Sequence, residues 1–600
     1  MKSIRCFSLL VAVLLSAALL FFLPGFMDTA DPSPRKEEAS RQFQGELSSI
    51  QPQDEAPAGA IEQGETNTGA MPKFSEIPYR RPDMTAITER YEALIAALEA
   101  DKLSEDEAIS QLEQVYSLYD DFYTMQAVAD LRYYHDVTDS FYAVESDWFL
   151  ESEPKMDQLF DELCSASANC ALAETLDSRF WGDWVVDSYG GRTSSTLDPA
   201  FLALAKQENA ALSDYRHAAA DPTIQWKGKE RSYWDLQEDA TISRREWAEI
   251  RSLYYDKYAP IFGEIYLRLV RVRQEIAAYL GLDSYEQYAY ALLYGRDFTS
   301  AKAEELLHSI RTDIAPLYDE LSLNRRWDSL RYTEVNEQEI LAALRTAARK
   351  MGGVIDSAFR DMVSYELYDI DISEKKGDVS YQCYLYTYDN PFVFLKTEGF
   401  SDDILNFGHE FGHFVDAWYN HDATSSHDLS EVFSQGMEYL LLTRLPKDYR
   451  KELTEYKLLD TADTFTQQGS YAAFEQAVYA RPAADWTPEQ LNSLSLRLAK
   501  EYGYFQPGDE DYYAKSWIDV SHFFDSPFYV IGYCVSNIAA CQLYALECEQ
   551  EGKGLDAWNQ MLPRNYDNFL DTVIKQGGLD DPFSADGMKK IAALLREKLQ

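Results

Sequence analysis

Residues 404–418 read Ile-Leu-Asn-Phe-Gly-His-Glu-Phe-Gly-His-Phe-Val-Asp-Ala-Trp and contain His409-Glu410-Phe411-Gly412-His413, an H-E-x-x-H pattern. The apolar spacing predicts a helix. Side chains four apart share a helix face. His409 and His413 can therefore grip one zinc ion, with Glu410 beside them as general base for a zinc-bound water. Five residues can match by chance in a chain of 600, and the alternative is two ordinary surface histidines. Scarcity weighs against chance, because the chain has eight histidines and two fall at this spacing.

A zinc site of this kind needs a carboxylate from a following helix. Residues 428–442 read Asp-Leu-Ser-Glu-Val-Phe-Ser-Gln-Gly-Met-Glu-Tyr-Leu-Leu-Leu. Glu431, Ser434, Gln435 and Glu438 form a polar stripe on an otherwise apolar helix, and such a stripe is costly unless it is paired or metal-bound. Glu431 is the expected third ligand. Glu438, about two turns along, is expected to orient a ligand histidine. Further on, residues 522–533 read His-Phe-Phe-Asp-Ser-Pro-Phe-Tyr-Val-Ile-Gly-Tyr. His522, Tyr529 and Tyr533 are neutral donors that can stabilise a tetrahedral oxyanion; the plainer reading is a packed aromatic segment.

HEFGH, the EVFSQGMEYL helix and the late His/Tyr segment together resemble the thimet oligopeptidase and oligoendopeptidase F family of zinc metallopeptidases. Residues 384–398 look like the family's strand that leads into its zinc helix. The resemblance is dense from about Tyr381 to Tyr544. Upstream, from about Pro78, it is compatible but carries no diagnostic motif. It implies one zinc per chain on His409, His413 and Glu431, with Glu410 as base. His522 and Tyr529 would contact the substrate carbonyl and the oxyanion, with Tyr533 nearby. Two departures stand out. The interval from His413 to Glu431 is shorter than in better-known members. The spacing from His522 to the tyrosines varies among members, which leaves the oxyanion donor open between Tyr529 and Tyr533.

Helical periodicity dominates from Asp83 onward. Residues 85–100 put Ile87, Tyr91, Leu94, Ile95 and Leu98 on one face, and 199–218, 244–280, 301–321 and 337–351 read likewise. Residues 365–373 and 379–388 alternate as strands with Lys375–Asp378 as the turn between them, and 392–397 continue as a third strand. That third strand is expected to offer an exposed edge to a peptide backbone. The fold expected is mostly α-helical and two-lobed, of zincin type, with a small β-sheet beside the HExxH helix. The family resemblance adds a deep channel that admits peptides and excludes folded proteins.

The chain is 46% hydrophobic, enough for a large core. Its net charge of −46 works against a nucleic-acid partner and against anionic membrane surfaces. Residues 1–27 read as a signal peptide or an N-terminal membrane anchor. Lys2 and Arg5 precede an apolar run at 6–23, and acidic residues follow soon after. That order keeps the N-terminus inside and puts the body outside, so the expected location is extracytoplasmic, secreted or tethered to the outer face of the cell membrane. Residues 28–73 read as a disordered linker. Residues 74–600 read as the metallopeptidase, with an N-terminal lobe to about 350 and a zinc lobe from about 351.

Cys164 and Cys170 are close enough in sequence to pair in an oxidising compartment. Cys534, Cys541 and Cys548 lie seven apart, roughly 10 Å along a helix and too far to bridge, and read as buried apolar residues. The function expected is zinc-dependent cleavage of internal bonds in short to medium peptides. Two rivals are a zinc carboxypeptidase or dipeptidyl carboxypeptidase on a similar helical scaffold, and a non-catalytic, membrane-tethered peptide-binding protein. No local motif supplies the cation a carboxypeptidase needs for the substrate C-terminus. The intact HExxH argues against the binding protein. The sequence assigns no oligomeric state.

Overall fold

In the computed structural model, residues 71–600 are described apart from 191–198, 240, 328–329, 331, 378, 423–425 and 565–568. The expected leader at 1–27 and all but the last residues of the expected linker lie outside the described residues. No helix among the described residues is long and apolar enough to cross a membrane.

Helix α1, Met84–Glu99, starts where the Asp83 carboxylate accepts from the Thr85 and Ala86 amides, and it buries Ile87, Tyr91, Leu94 and Leu98. Helix α2, Glu105–His135, opens on a capping box of Ser104 and Glu107. It packs with α1 and with α3, Ser140–Asn169. Helix α4, Pro199–Ala220, packs along α5, Arg244–Tyr279. Between them β1, Thr223–Trp226, pairs antiparallel with β2, Lys229–Ser232. The two-residue turn there has Lys227 and Gly228 both at positive φ, 48° and 78°, the conformation that suits a tight hairpin.

The single helix expected over 301–321 is broken. Ser300–Ser309 is α-helical, Ile310–Ile314 forms a wider turn, and a short helix restarts at Leu317–Glu320. Pro316 heads the last piece; it has no amide to continue the ladder and clashes with the turn before it.

Helix α6, Glu337–Met351, is capped by Asn336 and Glu339 and stopped by Gly352 at φ 69°. Helix α7, Gly353–Ser364, leads to a three-stranded sheet of β3, Tyr368–Asp369, β4, Tyr381–Leu385, and β5, Asn390–Phe394. The order is β3-β5-β4, with β5 parallel to β3 and antiparallel to β4. This corrects two expectations. β3 and β4 are not neighbours, so the two strands that the expected turn at 375–378 would join are not paired. The third strand is the central one, so the edges lie at β3 and β4. The reason is Lys376. Its buried ammonium bonds the Leu395 carbonyl at 2.7 Å and the Asp369 carboxylate at 2.7 Å and lies 4.5 Å over the Phe394 ring. The loop is thereby fastened across the sheet instead of folding back. The true hairpin turn is Tyr386–Tyr388 plus Asp389, which is left-handed at φ 55°.

Helix α8, Asp403–Asn420, follows. The Asp403 carboxylate accepts from the amides of Glu398, Gly399 and Phe400 at 3.0, 2.7 and 3.2 Å, tying the chain entry to the helix start. Helix α9, His427–Arg444, is capped by Ser426 and is buried along nearly its whole length. It packs between α8 and α11, Ile531–Glu549, and beside α10, Lys447–Tyr479. Cys534, Cys541 and Cys548 all lie on α11; the first two are buried, as expected, but Cys548 is exposed. Cys170 keeps a free thiol directed at the Ser167 carbonyl, so the Cys164–Cys170 bridge is not formed.

Candidate active site

Two glycines explain how α8 and α9 come together. A Cβ on Gly412 would meet Ser434 Cα at 2.6 Å and the Phe433 carbonyl oxygen at 2.7 Å, and one on Gly408 would meet Leu441 Cδ1 at 2.0 Å. The helices therefore touch almost backbone to backbone, which only glycine permits. The contact brings Glu431 of α9 onto the histidine face of α8. His409 Nε2 is 3.4 Å and His413 Nε2 3.8 Å from Glu431 Oε2. One donor atom from each of His409, His413 and Glu431 lies within 4.8 Å of the others. His421 and Asp422 take left-handed φ of 53° and 62°, and α9 begins at His427.

Each of the three has a further partner. His409 Nδ1 is 2.9 Å from Glu438 Oε1, and Glu438 Oε2 is 2.7 Å from the buried Lys457 ammonium on α10. His413 Nδ1 is 3.0 Å from Ser430 Oγ, and Ser434 Oγ donates to Glu431 Oε2 at 3.0 Å. Such outer contacts fix ring orientation and tautomer.

The electrostatics follow from burial against partners. For Glu431, burial opposes charge, but the His409 hydrogen bond and charge and the His413 charge outweigh it and hold the carboxyl down at about 2. Burial would lower His409, yet the bonds to Glu431 and Glu438 raise it well above the ordinary imidazole range. His413 lacks such a pair of contacts, and burial takes it down to about 4. Burial pushes Glu410 up to about 7, with the His409 charge opposing. A divalent cation among these groups would displace the proton on His409 and draw Glu410 down.

The late segment closes over this cluster. The Tyr529 hydroxyl donates to Glu431 Oε1 at 3.3 Å. The His522 ring stacks on Tyr529 with centroids 5.4 Å apart, and Tyr533 lies 6.0 Å from His522 and 5.3 Å from Tyr529. His409, Glu410, His413, Glu431, Glu438, His522, Tyr529 and Tyr533 thus meet in one place. Of the two tyrosines, Tyr529 is the one hydrogen-bonded to Glu431. Burial lowers His522, and it raises Tyr529 well above its ordinary range with the Glu431 charge adding. Both are therefore neutral near pH 7.

Sequence reasoning missed Lys457, Ser430 and His427, whose ring sits 6.0 Å from Tyr529. It also missed the Arg296–Asp428 ion pair beside them, whose Nε–Oδ2 distance is 2.7 Å. Asp428 carried a signal, since it sits one turn before Glu431 on the same helix; Arg296 and Lys457 carried none. A second His/Asp/Asp group, His135, Asp369 and Asp371, also clusters. It makes a poorer metal centre. His135 is half exposed, and Lys376 already occupies the Asp369 carboxylate.

Two family models match the chain. The Peptidase M3 N-terminal domain matches residues 74–186, and Peptidase family M3 matches residues 349–591. The chain belongs to peptidase family M3. The second M3 match contains α8, α9 and the His522–Tyr533 segment; the first contains α1 to α3. The chain is 25% identical over 249 residues to oligopeptidase PepF of Bacillus subtilis (strain 168), covering 38% of this chain and 36% of that one. It is 28% identical over 185 residues to the chromosomal oligoendopeptidase F of Lactococcus lactis subsp. cremoris, covering 28% and 31%. The matches thus span about a third of the length of these relatives. The solved structure of PZ peptidase A with an inhibitor superposes with a TM-score of 0.71 at 21% identity over 88% of this chain and 99% of that one. That is a likeness of the M3 fold, mostly helical and two-lobed.

Proposed function

We propose that this M3 chain is a zinc endopeptidase that hydrolyses internal bonds of short to medium peptides outside the cytoplasm. The observation that carries the reading is the convergence of His409, His413 and Glu431 on one point, with Glu410 on the same helix face and Tyr529 hydrogen-bonded to the third ligand. Two imidazoles and a carboxylate, each with an outer partner, are the donor set of a catalytic zinc. His409, His413 and Glu431 would hold it. When bound, zinc supplies a Lewis acid that acidifies water and polarises a carbonyl.

The protein side of the reaction is short. Glu410 takes a proton from the attacking water and passes it to the leaving amine. The Tyr529 hydroxyl and the His522 imidazole donate to the substrate oxygen as it gains charge. Glu438, itself neutralised by Lys457, keeps His409 in the tautomer that points Nε2 at the centre. An extended substrate backbone can add to the sheet at the β4 edge. The extracytoplasmic location rests on the basic, apolar, acidic order of the first residues.

The test is incubation of the purified chain with a mixed peptide library, with and without a zinc chelator, read by mass spectrometry. Internal cuts, including cuts in C-terminally amidated peptides, are expected only without chelator. Products trimmed solely from free C-termini would favour the carboxypeptidase. No products at all would favour the binding protein. Efficient digestion of a stable folded protein would contradict a channel that selects for size.

A further inference from the structure

Tyr529 owes its position to a backbone that is bent against its own preference. Phe528, the residue before it, has φ of 66°, which is strained for a bulky side chain and persists only where the surroundings enforce it. Three buried polar side chains do so. Arg273 of α5 donates to the Phe523 and Phe524 carbonyls. Glu475 of α10 accepts from the Phe528 amide at 2.8 Å. Arg296 donates to the Phe528 carbonyl at 2.7 Å and to the Tyr529 carbonyl at 3.1 Å. Tyr294 completes the set, its hydroxyl donating to the Pro527 carbonyl at 2.9 Å.

Arg296 differs from the others in what lies at its other end. Its Nε and Nη2 form a two-pronged contact with Asp428 at 2.7 and 3.0 Å, and both side chains are essentially out of solvent. Asp428 stands on α9 one turn before Glu431. The guanidinium therefore joins the backbone of Tyr529 to the helix that carries the expected metal ligand. The space around this pair is also kept clear, because a Cβ on Gly532 would meet Asp428 Oδ1 at 2.2 Å. A buried pair of this kind adds little stability over an apolar substitute, but the fork fixes direction in a way a single ammonium does not. Arg296 and Arg273 both come from residues 187–348, between the two matched family segments.

We infer that Arg296, clamped by Asp428, is a positioning residue that holds the Tyr529 hydroxyl over Glu431, so that the stretch between the two family segments sets the geometry of the oxyanion donor. The inference rests on the endopeptidase reading and deepens it. Arg296 touches no substrate. Its effect runs through Tyr529, and that makes it separable from a general packing role.

The experiment is a double-mutant cycle in the full zinc-loaded chain with Arg296→Lys, Tyr529→Phe and the double variant, read as kcat and KM with zinc content and thermal melts alongside. Arg296→Lys keeps the charge and loses the fork. Asp428→Asn is the second variant, used if Arg296→Lys does not fold. Misplacing a reacting group by about 1 Å costs on the order of 10²-fold in rate, so Arg296→Lys is expected to lower kcat by about 10–10²-fold with KM and zinc nearly unchanged. The double variant should be no more than about 3-fold slower than Tyr529→Phe alone, because coupled residues do not add. Fully additive losses, or a wild-type kcat in both Arg296→Lys and Asp428→Asn, would overturn the positioning role while leaving the endopeptidase reading intact. A wild-type rate in Tyr529→Phe itself would sink the oxyanion assignment, and this inference with it, and that failure shows in the single variant.

Discussion

Two groups of buried carboxylates in this molecule behave in opposite ways. Between α2 and α3, Asp130, Glu153 and Asp157 have neutral hydrogen-bond partners, Ser146, Gln126 and Tyr123. Burial dominates there and pushes them up to about 7, 8 and 6. On α9, Glu431 and Glu438 are as well buried, yet both are held below the ordinary range. Burial is outweighed by His409 and His413 at Glu431, and by Lys457 and His409 at Glu438. Burial alone therefore does not mark a functional acid. A cation in contact, with a further partner behind it, does. The α9 acids are held towards the charged form, and burial pushes the α2–α3 acids towards the protonated one.

The comparison breaks most readily at Glu410, which burial also pushes upward but which sits among the α9 set. If it is the general base, Glu410→Gln should keep zinc and fold and lose about 10²–10⁴ in kcat. Elemental analysis beside the kinetics checks this. Wild-type turnover in that variant would move Glu410 into the passive class with Glu153.

Next in size are the donors over the cluster. Tyr529→Phe and His522→Ala should each lower kcat by about 10²–10³ with zinc retained, and KM should change less, because the bond matters mainly in the transition state. Equal loss of thermal stability and activity would instead make the segment simple packing.

Much of this site could be read in the sequence, for a physical reason. His409, Glu410 and His413 share one helix, and Glu431 and Glu438 share another, so the 3.6-residue period predicts which side chains lie together. Helix spans were legible too, as with α1 over residues 85–100 and α6 over 337–351. The sheet was not. Alternation identifies a strand but does not name its neighbour, and β5 took the centre because Lys376 pins its loop across the sheet. Arg296 was out of reach for the same reason, since its bond to Asp428 spans 132 residues. The break at Pro316 lies inside a stretch whose apolar spacing reads as one helix.

A smaller effect sharpens the contrast within α9. Glu438 touches His409 and not the centre, so Glu438→Gln should weaken zinc affinity by about 10–10²-fold, the usual scale for an outer partner of a ligand. Glu431→Ala should lose the metal far more completely. Competition with a graded series of chelators measures both. Retention of zinc in Glu431→Ala with loss in Glu438→Ala would exchange their roles.

The smallest effect lies on the α2–α3 side, where the predicted sign is reversed. Glu153 ionises at about 8 in the folded chain, against about 4.3 for an unperturbed glutamate. Between those values the unfolded chain has released the proton and the folded chain still holds it, so stability falls as pH rises. Glutamine cannot ionise and keeps the polar contact with Gln126, which lies 3.2 Å from the Glu153 carboxylate. Glu153→Gln should therefore be nearly neutral below about pH 4 and stabilising above it, by on the order of 2 kcal/mol once pH passes about 8. Thermal melts at pH 5 and pH 8.5 should show a larger gain at the higher pH, with zinc content unchanged. No gain at pH 8.5, or a loss there, would mean that Glu153 is already ionised in the folded chain with a counter-charge like those around Glu431, and the division between the two groups of acids would fail.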